Sequence, residues 1–142
     1  MRTVGRQNRR RGAVQAFTLM EVIIAITIVA LMAAIAVPSY FYVVQSANEK
    51  AAKVQIKSFE TSMQHYLLDT GTYPATLEDL VTNVSGVKNW KGPYLQGGKV
   101  PNDPWGAPYL FMNPGQHSPI DISSSGRDRQ QNTEDDISNY SN

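Results

Sequence analysis

The sequence predicts an α+β protein in which one long, bent N-terminal helix, membrane-spanning in its first half and amphipathic in its second, packs on a small antiparallel sheet. Three features predict it: an apolar run from Phe17 to Val37, an apolar stripe from Ala52 to Leu67 at spacings of three and four, and short apolar clusters set among turn formers beyond Pro93. With 142 residues the chain has room for one modest core, which excludes a large multidomain enzyme.

The apolar run holds 21 residues, in which Glu21 is the only charge and Thr18 and Thr27 are the only other polar side chains. As a helix it reaches about 30 Å, enough to cross the hydrocarbon core of a bilayer. Arg2, Arg6, Arg9, Arg10 and Arg11 precede it with no acidic residue among the first sixteen positions, and Lys50 alone follows within the next fifteen. That bias puts residues 1–16 in the cytoplasm and the remainder across the membrane. The total charge of +1 is dominated by those arginines; eight Lys and Arg against twelve acids remain, a mildly acidic balance that argues against a nucleic-acid surface.

A secretory signal peptide shares the basic start and the apolar stretch, but its cleavage site follows the stretch. The run here is longer than a usual signal core. Glu21 also opposes that reading, because a carboxylate at membrane depth costs on the order of 2.5 to 3.5 kcal/mol at the centre and less near the edge. A buried charge of that kind calls for a partner.

Beyond the run, Pro38 lacks an amide hydrogen and clashes with the carbonyl of Ala34, so a kink is expected there. Ala52, Ile56, Phe59, Met63, Tyr66 and Leu67 then form one apolar face while Lys50, Lys53, Lys57 and Glu60 take others. Gly71 stops the helix, and Tyr73-Pro74 forces an extended exit. Thr76-Leu77-Glu78-Asp79 reads as a capping box opening a short helix. Pro93-Tyr94-Leu95 and Trp105 to Phe111 read as short strands.

From Ile120 the chain turns polar, with Ser123-Ser124-Ser125-Gly126-Arg127-Asp128 and later Glu134-Asp135-Asp136. On composition this is a solvated tail, or a loop whose two acidic clusters close around a hard cation, since calcium takes six to eight oxygens. It lacks the fixed pattern of an EF-hand.

The chain has no cysteine, which removes thiol catalysis, thiolate metal sites and disulfides. There is no phosphate-binding glycine loop, paired-histidine metal motif or nucleophile elbow. His65 and His117 have no adjacent ligand in sequence, and the clustering of His117, Asp121 and Ser123 to Ser125 is not by itself a triad. The sequence therefore reads as a non-enzyme.

Two motifs resemble a known family. Ala16-Phe17-Thr18-Leu19-Met20-Glu21 followed by an apolar helix resembles the class III signal of type IV pilins and pseudopilins. Asp103-Pro104-Trp105-Gly106-Ala107-Pro108-Tyr109, with Pro114-Gly115 beyond, resembles the major pseudopilins of type II secretion, as does Tyr73-Pro74 with Thr76 and Leu77.

The resemblance implies a pilin-like fold with a C-terminal calcium loop and four segments: a leader at 1–16, a transmembrane half-helix at 17–38, an amphipathic half-helix at 39–70 and a periplasmic part at 71–142. It implies cleavage by a prepilin peptidase between Ala16 and Phe17, N-methylation of Phe17, and pairing of Glu21 with the amino terminus of a neighbouring copy. Alanine stands at Ala16 where the family usually has glycine. The resemblance also implies one calcium held by Asp128, Asp135 and Asp136, with oxygens from Ser125, Thr133 and Ser124. Arg127 and Arg129 depart from the small residues usual there, and Tyr140 from the usual tryptophan. The implied function is the major subunit of a periplasmic pseudopilus, a homopolymer working with minor pseudopilins and an inner-membrane assembly platform to export folded proteins. A type IV pilin for adhesion, motility or DNA uptake, and a monomeric membrane-anchored periplasmic binding protein, are the alternatives.

Overall fold

The structure, a computed structural model, describes residues 17–141. It contains one α-helix, α1 (Leu19–Thr70), a single 3₁₀ turn (Leu77–Leu80) and three strands, β1 (Leu110–Met112), β2 (Asp121–Ser124) and β3 (Ile137–Ser138). The chain divides into two compact units with the boundary between Tyr40 and Phe41.

In the first unit the described chain is helical from Leu19 and every residue is exposed. The helix qualifies by length and composition as a membrane span. Thr18 caps it: its hydroxyl accepts the Glu21 amide at 3.1 Å, satisfying one of the donors a helix leaves free at its start. Thr27 and Ser39 donate their hydroxyls to the carbonyls of Ile23 and Ile35, at 2.8 and 3.1 Å. Both hydroxyls thus find acceptors on the helix itself instead of facing hydrocarbon without a partner. The helix continues through Pro38, which has no amide hydrogen to give the Ala34 carbonyl.

The second unit is built on the amphipathic part of α1. Ala52, Ile56, Phe59, Met63 and Tyr66 are buried, as their spacing predicts, and meet Leu77, Leu80, Leu95, Tyr109, Ile120, Ile122 and Ile137. Phe59 stands edge-on to Tyr109, with ring centroids 5.1 Å apart. α1 ends where Gly71 adopts φ +81° and its amide bonds the Leu67 carbonyl at 2.8 Å. The sheet runs in the order β1-β2-β3, antiparallel throughout, with Phe111 opposite Ile122 and Ser124 opposite Ile137.

Two sequence expectations are corrected. Pro93-Tyr94-Leu95 is not a strand: the amides of Tyr94 and Leu95 both donate to the Leu80 carbonyl, at 2.7 and 3.2 Å. Trp105 to Tyr109 is a turn, because Pro104 and Pro108 lack the donors a ladder needs and Gly106 sits at φ +87°; only Leu110 and Phe111 of that stretch enter β1. The other two strands come from the segment that composition reads as a solvated tail. Ile120, Ile122 and Ile137 are its buried apolar residues, and packing them into the core with α1 orders it.

With so little regular structure, buried carboxylates organise the turns. Asp79 is fully buried; it accepts the Ser85 amide and hydroxyl at 2.8 and 2.7 Å and the Thr76 amide at 3.2 Å, the last closing the expected capping box. Asp121 accepts the amides of Gln116, His117 and Ser118 at 2.7, 3.0 and 3.0 Å, with the His117 ring at 3.0 Å. Burial pushes both carboxyls up, yet these hydrogen bonds together outweigh it: those from Ser85 and Thr76 hold Asp79 below the ordinary range, and those from His117, Gln116 and Ser118 hold Asp121 far below it.

Two outcomes are expected of the second unit, residues 41–142, produced by itself. Phe59→Ala removes a wholly buried ring and lowers unfolding free energy in denaturant by about 3 to 5 kcal/mol; a loss under about 1 kcal/mol contradicts this core. Because Asp79 and Asp121 have depressed folded values, their stabilisation is complete above the unfolded aspartate value of 3.8 and lost as pH falls below it. The melting temperature therefore falls on acidification below about pH 4, with a shallower fall in Asp121→Asn, and an unchanged acid limb in that variant refutes the assignment.

Candidate functional site

The C-terminal loop between β2 and β3 gathers the predicted metal-site residues. Gly126 opens it at φ +65°, where a side chain is strained, and a Cβ there would run into the backbone and carboxylate of Asp135. The Asp135 carboxylate accepts the amides of Arg127 and Asp128 at 2.7 and 3.1 Å, so it ties the start of the loop to its end. These contacts lower its pKa, the Asp128 amide first, then the Thr133 hydroxyl, against an opposing push from burial. Asp128 accepts the Gln130 amide and Asp136 the Asn132 amide, at 2.8 and 2.7 Å.

Three carboxylates converge on one atom. The Thr133 hydroxyl lies 2.8 Å from Asp135 Oδ1, 3.4 Å from Asp128 Oδ1 and 3.4 Å from Asp136 Oδ1. A hydroxyl carries one hydrogen, so it can serve only one of the three. Asp128, Asp135, Asp136 and Thr133 are thus brought together. Ser124 is engaged elsewhere: fully buried, it donates to Asp103 at 2.6 Å and accepts the Gly126 amide at 3.2 Å. Ser125 is buried beside it. Among the described residues no three His, Cys, Asp or Glu side chains are already arranged to hold a metal ion.

Three residues that the sequence marks only by their place in, or departure from, the family pattern take structural roles here. Asp103 accepts the amides of Trp105 and Ala107 at 3.1 and 2.8 Å as well as the Ser124 hydroxyl, joining the Trp105 turn to the loop. The Asp-Pro step that initiates such turns was its signal. Arg129 sends its guanidinium to the Trp105 carbonyl, a tertiary contact with no mark in the local sequence. Tyr140 stacks on His117 with centroids 4.0 Å apart.

At the other end of the chain, Ala16 lies outside the described residues. Phe17 is exposed and precedes the first helical residue, and Glu21 is exposed on the apolar helix three residues after its cap, Thr18.

Comparison with known proteins gives concordant results. Residues 39–140 match the family model for type II secretion system protein G, and residues 11–37 match the prokaryotic N-terminal methylation motif. The type II secretion system core protein G of Klebsiella michiganensis is 36% identical over 137 residues, covering 92% of this chain and 96% of that protein. The protein of the same name from Pseudomonas aeruginosa is 38% identical over 136 residues, covering 89% and 94%. Among solved structures, the major pseudopilin from the type 2 secretion system of enterohaemorrhagic Escherichia coli aligns with a TM-score of 0.57 at 38% identity, covering 67% of this chain and 88% of that one. The chain belongs to the type II secretion system protein G family, the core pseudopilins.

Proposed function

We propose that the chain is the precursor of a membrane-anchored pseudopilus subunit, a structural rather than catalytic protein, which is drawn from the inner membrane into a periplasmic filament that helps export folded proteins. The observation that carries the reading is α1 itself: one 52-residue helix, apolar on all sides where it begins and apolar on one stripe where the sheet packs on it. A helix of the first kind is stable in lipid or in a bundle of its copies.

In this reading residues 1–16 are a cytoplasmic leader, removed between Ala16 and Phe17 by a prepilin peptidase, after which Phe17 is methylated. The match to the methylation motif supports that processing. The new amine and the Glu21 carboxylate are opposite charges near the membrane edge, and a neighbouring copy stacked in register brings one to the other. Minor pseudopilins and an assembly platform at the inner membrane complete the partner set, and the energy for extraction comes from outside this chain.

Calcium in the C-terminal loop belongs to the same proposal. The donor chemistry fits, since Asp128, Asp135 and Asp136 turn oxygens toward one hydroxyl that can neutralise none of them, and calcium seeks carboxylate and carbonyl oxygens. Those three would supply carboxylates, Ser125 and Thr133 backbone oxygens, and Ser124 the hydroxyl lone pair that the Gly126 amide leaves free, its hydrogen staying on Asp103. Bound, the ion would supply positive charge that offsets the mutual repulsion of the carboxylates.

Two experiments test the reading. Glu21→Ala in cells carrying the rest of the secretion apparatus leaves the precursor processed and in the membrane but abolishes filaments and secretion; filaments that persist in that variant would refute the role of Glu21, and a parent chain that forms no filaments would favour a monomeric anchored protein. In the second unit produced by itself, calcium at about a hundredfold over its Kd adds about 2.7 kcal/mol to stability relative to a chelator. Asp135→Ala and Gly126→Ala abolish that calcium-dependent rise, and wild-type protein that melts identically with calcium and with chelator has no such site.

A further inference from the structure

Where the helix leaves the apolar run, three aromatic residues follow one another: Tyr40, Phe41 and Tyr42, 66 to 77% exposed. Consecutive helical positions are about 100° apart, so the three rings spread over about 200° of the circumference. A face that packs on one protein partner repeats at three and four instead, as Ala52, Ile56, Phe59, Met63 and Tyr66 do on the same helix. Three adjacent rings suit surroundings that enclose the helix from all sides at one level.

Their level is also defined. No charged residue occurs between Glu21 and Glu49, and polar side chains begin in earnest at Gln45, with Ser46, Asn48, Glu49 and Lys50 after it. Only Val43 and Val44 separate the trio from that change of polarity. From Glu21 to Tyr40 is nineteen residues of helix, or about 28 Å, which matches the hydrocarbon thickness of a bilayer. With the arginine cluster before Phe17 on one side of the membrane, the trio falls at the opposite boundary. Tyrosine suits that boundary because its ring prefers the apolar side and its hydroxyl bonds water and headgroups.

We infer that Tyr40, Phe41 and Tyr42 form an aromatic girdle that sits in the lipid headgroup layer on the far side of the membrane and fixes how deep the helix stands in the bilayer. This rests on the membrane-anchored reading above. The girdle provides a stop: sliding the helix inward buries two hydroxyls in hydrocarbon, and sliding it outward exposes three rings to water.

The absence of cysteine makes depth measurable in the full chain. Single cysteines replacing Ala33, Ser39, Val43 or Ala47 carry a nitroxide in vesicles of phosphatidylethanolamine and phosphatidylglycerol, and collisions with oxygen and with a water-soluble nickel complex report depth. The label at Ala33 is expected in hydrocarbon, those at Ser39 and Val43 on either side of the boundary, and that at Ala47 in water. Replacing the trio by leucine (Tyr40→Leu, Phe41→Leu, Tyr42→Leu) preserves helix propensity and removes the stop, so the boundary moves toward Ala47 by about one turn, about 5 Å. A boundary that stays in place in the leucine variant, or lies outside Ser39 to Val43 in the parent, overturns the girdle while leaving the anchor intact. A label at Ala33 in water overturns the anchored reading itself. A leucine variant that keeps its boundary but fails only to form filaments assigns the trio to contacts between subunits, and so also overturns the inference.

Discussion

A peptide backbone in hydrocarbon has to satisfy its own hydrogen bonds, and that constraint governs this molecule from Leu19 onward. A helix is the only solution available to a single crossing segment, and here it is carried through Thr27, Pro38 and Ser39 with the hydroxyls folded back on the helix carbonyls. The same helix then supplies the stripe on which everything after residue 71 assembles. One element thus serves two surroundings, and the change of surface pattern along it marks where one gives way to the other.

The body that packs on the stripe has few strand residues and a small core, so much of its order comes from carboxylates that collect backbone donors. Asp79 holds the 3₁₀ turn and Ser85, Asp103 the Trp105 turn, Asp121 the hairpin before β2, and Asp135 the C-terminal loop. Each replaces a short ladder by an ion that accepts two or more amides, a strong arrangement in a partly desolvated site. These anchors are linked: Asp103 grips Ser124, Ser124 takes the amide of Gly126, and Gly126 leaves the space that the Asp135 carboxylate fills. The Trp105 turn and the acidic loop are therefore one connected piece of structure.

That linkage gives physical content to the motif by which the family resemblance is recognised. Asp103, Trp105 and Gly106 build a turn whose carboxylate and carbonyl both reach into the loop that carries Asp128, Asp135 and Asp136. Arg129, which stands where the family usually has a small residue, directs its guanidinium to the Trp105 carbonyl and so stitches the loop to the turn.

The sequence by itself determined the helix and its use. Period and polarity are local properties, so the apolar run, the stripe from Ala52 to Tyr66, the stop at Gly71 and the capping box at Thr76 were all legible, as were the Ala16 to Glu21 signal of pilins and pseudopilins and the Asp103 to Tyr109 motif that narrows the resemblance to major pseudopilins. The tertiary structure alone decided the body. Whether Pro93 to Leu95 pairs with a strand or with the Leu80 carbonyl depends on what lies opposite, which no local pattern encodes. Two of the three strands arise in a serine-rich, acidic stretch because a few isoleucines find the face of α1. The three carboxylates of the loop, up to eight residues apart in the chain, meet at the Thr133 hydroxyl only because Gly126 turns left-handed and Asp135 reaches back to the amides of Arg127 and Asp128. Such contacts depend on chain reversal, and reversal is set by packing at a distance rather than by neighbours in sequence.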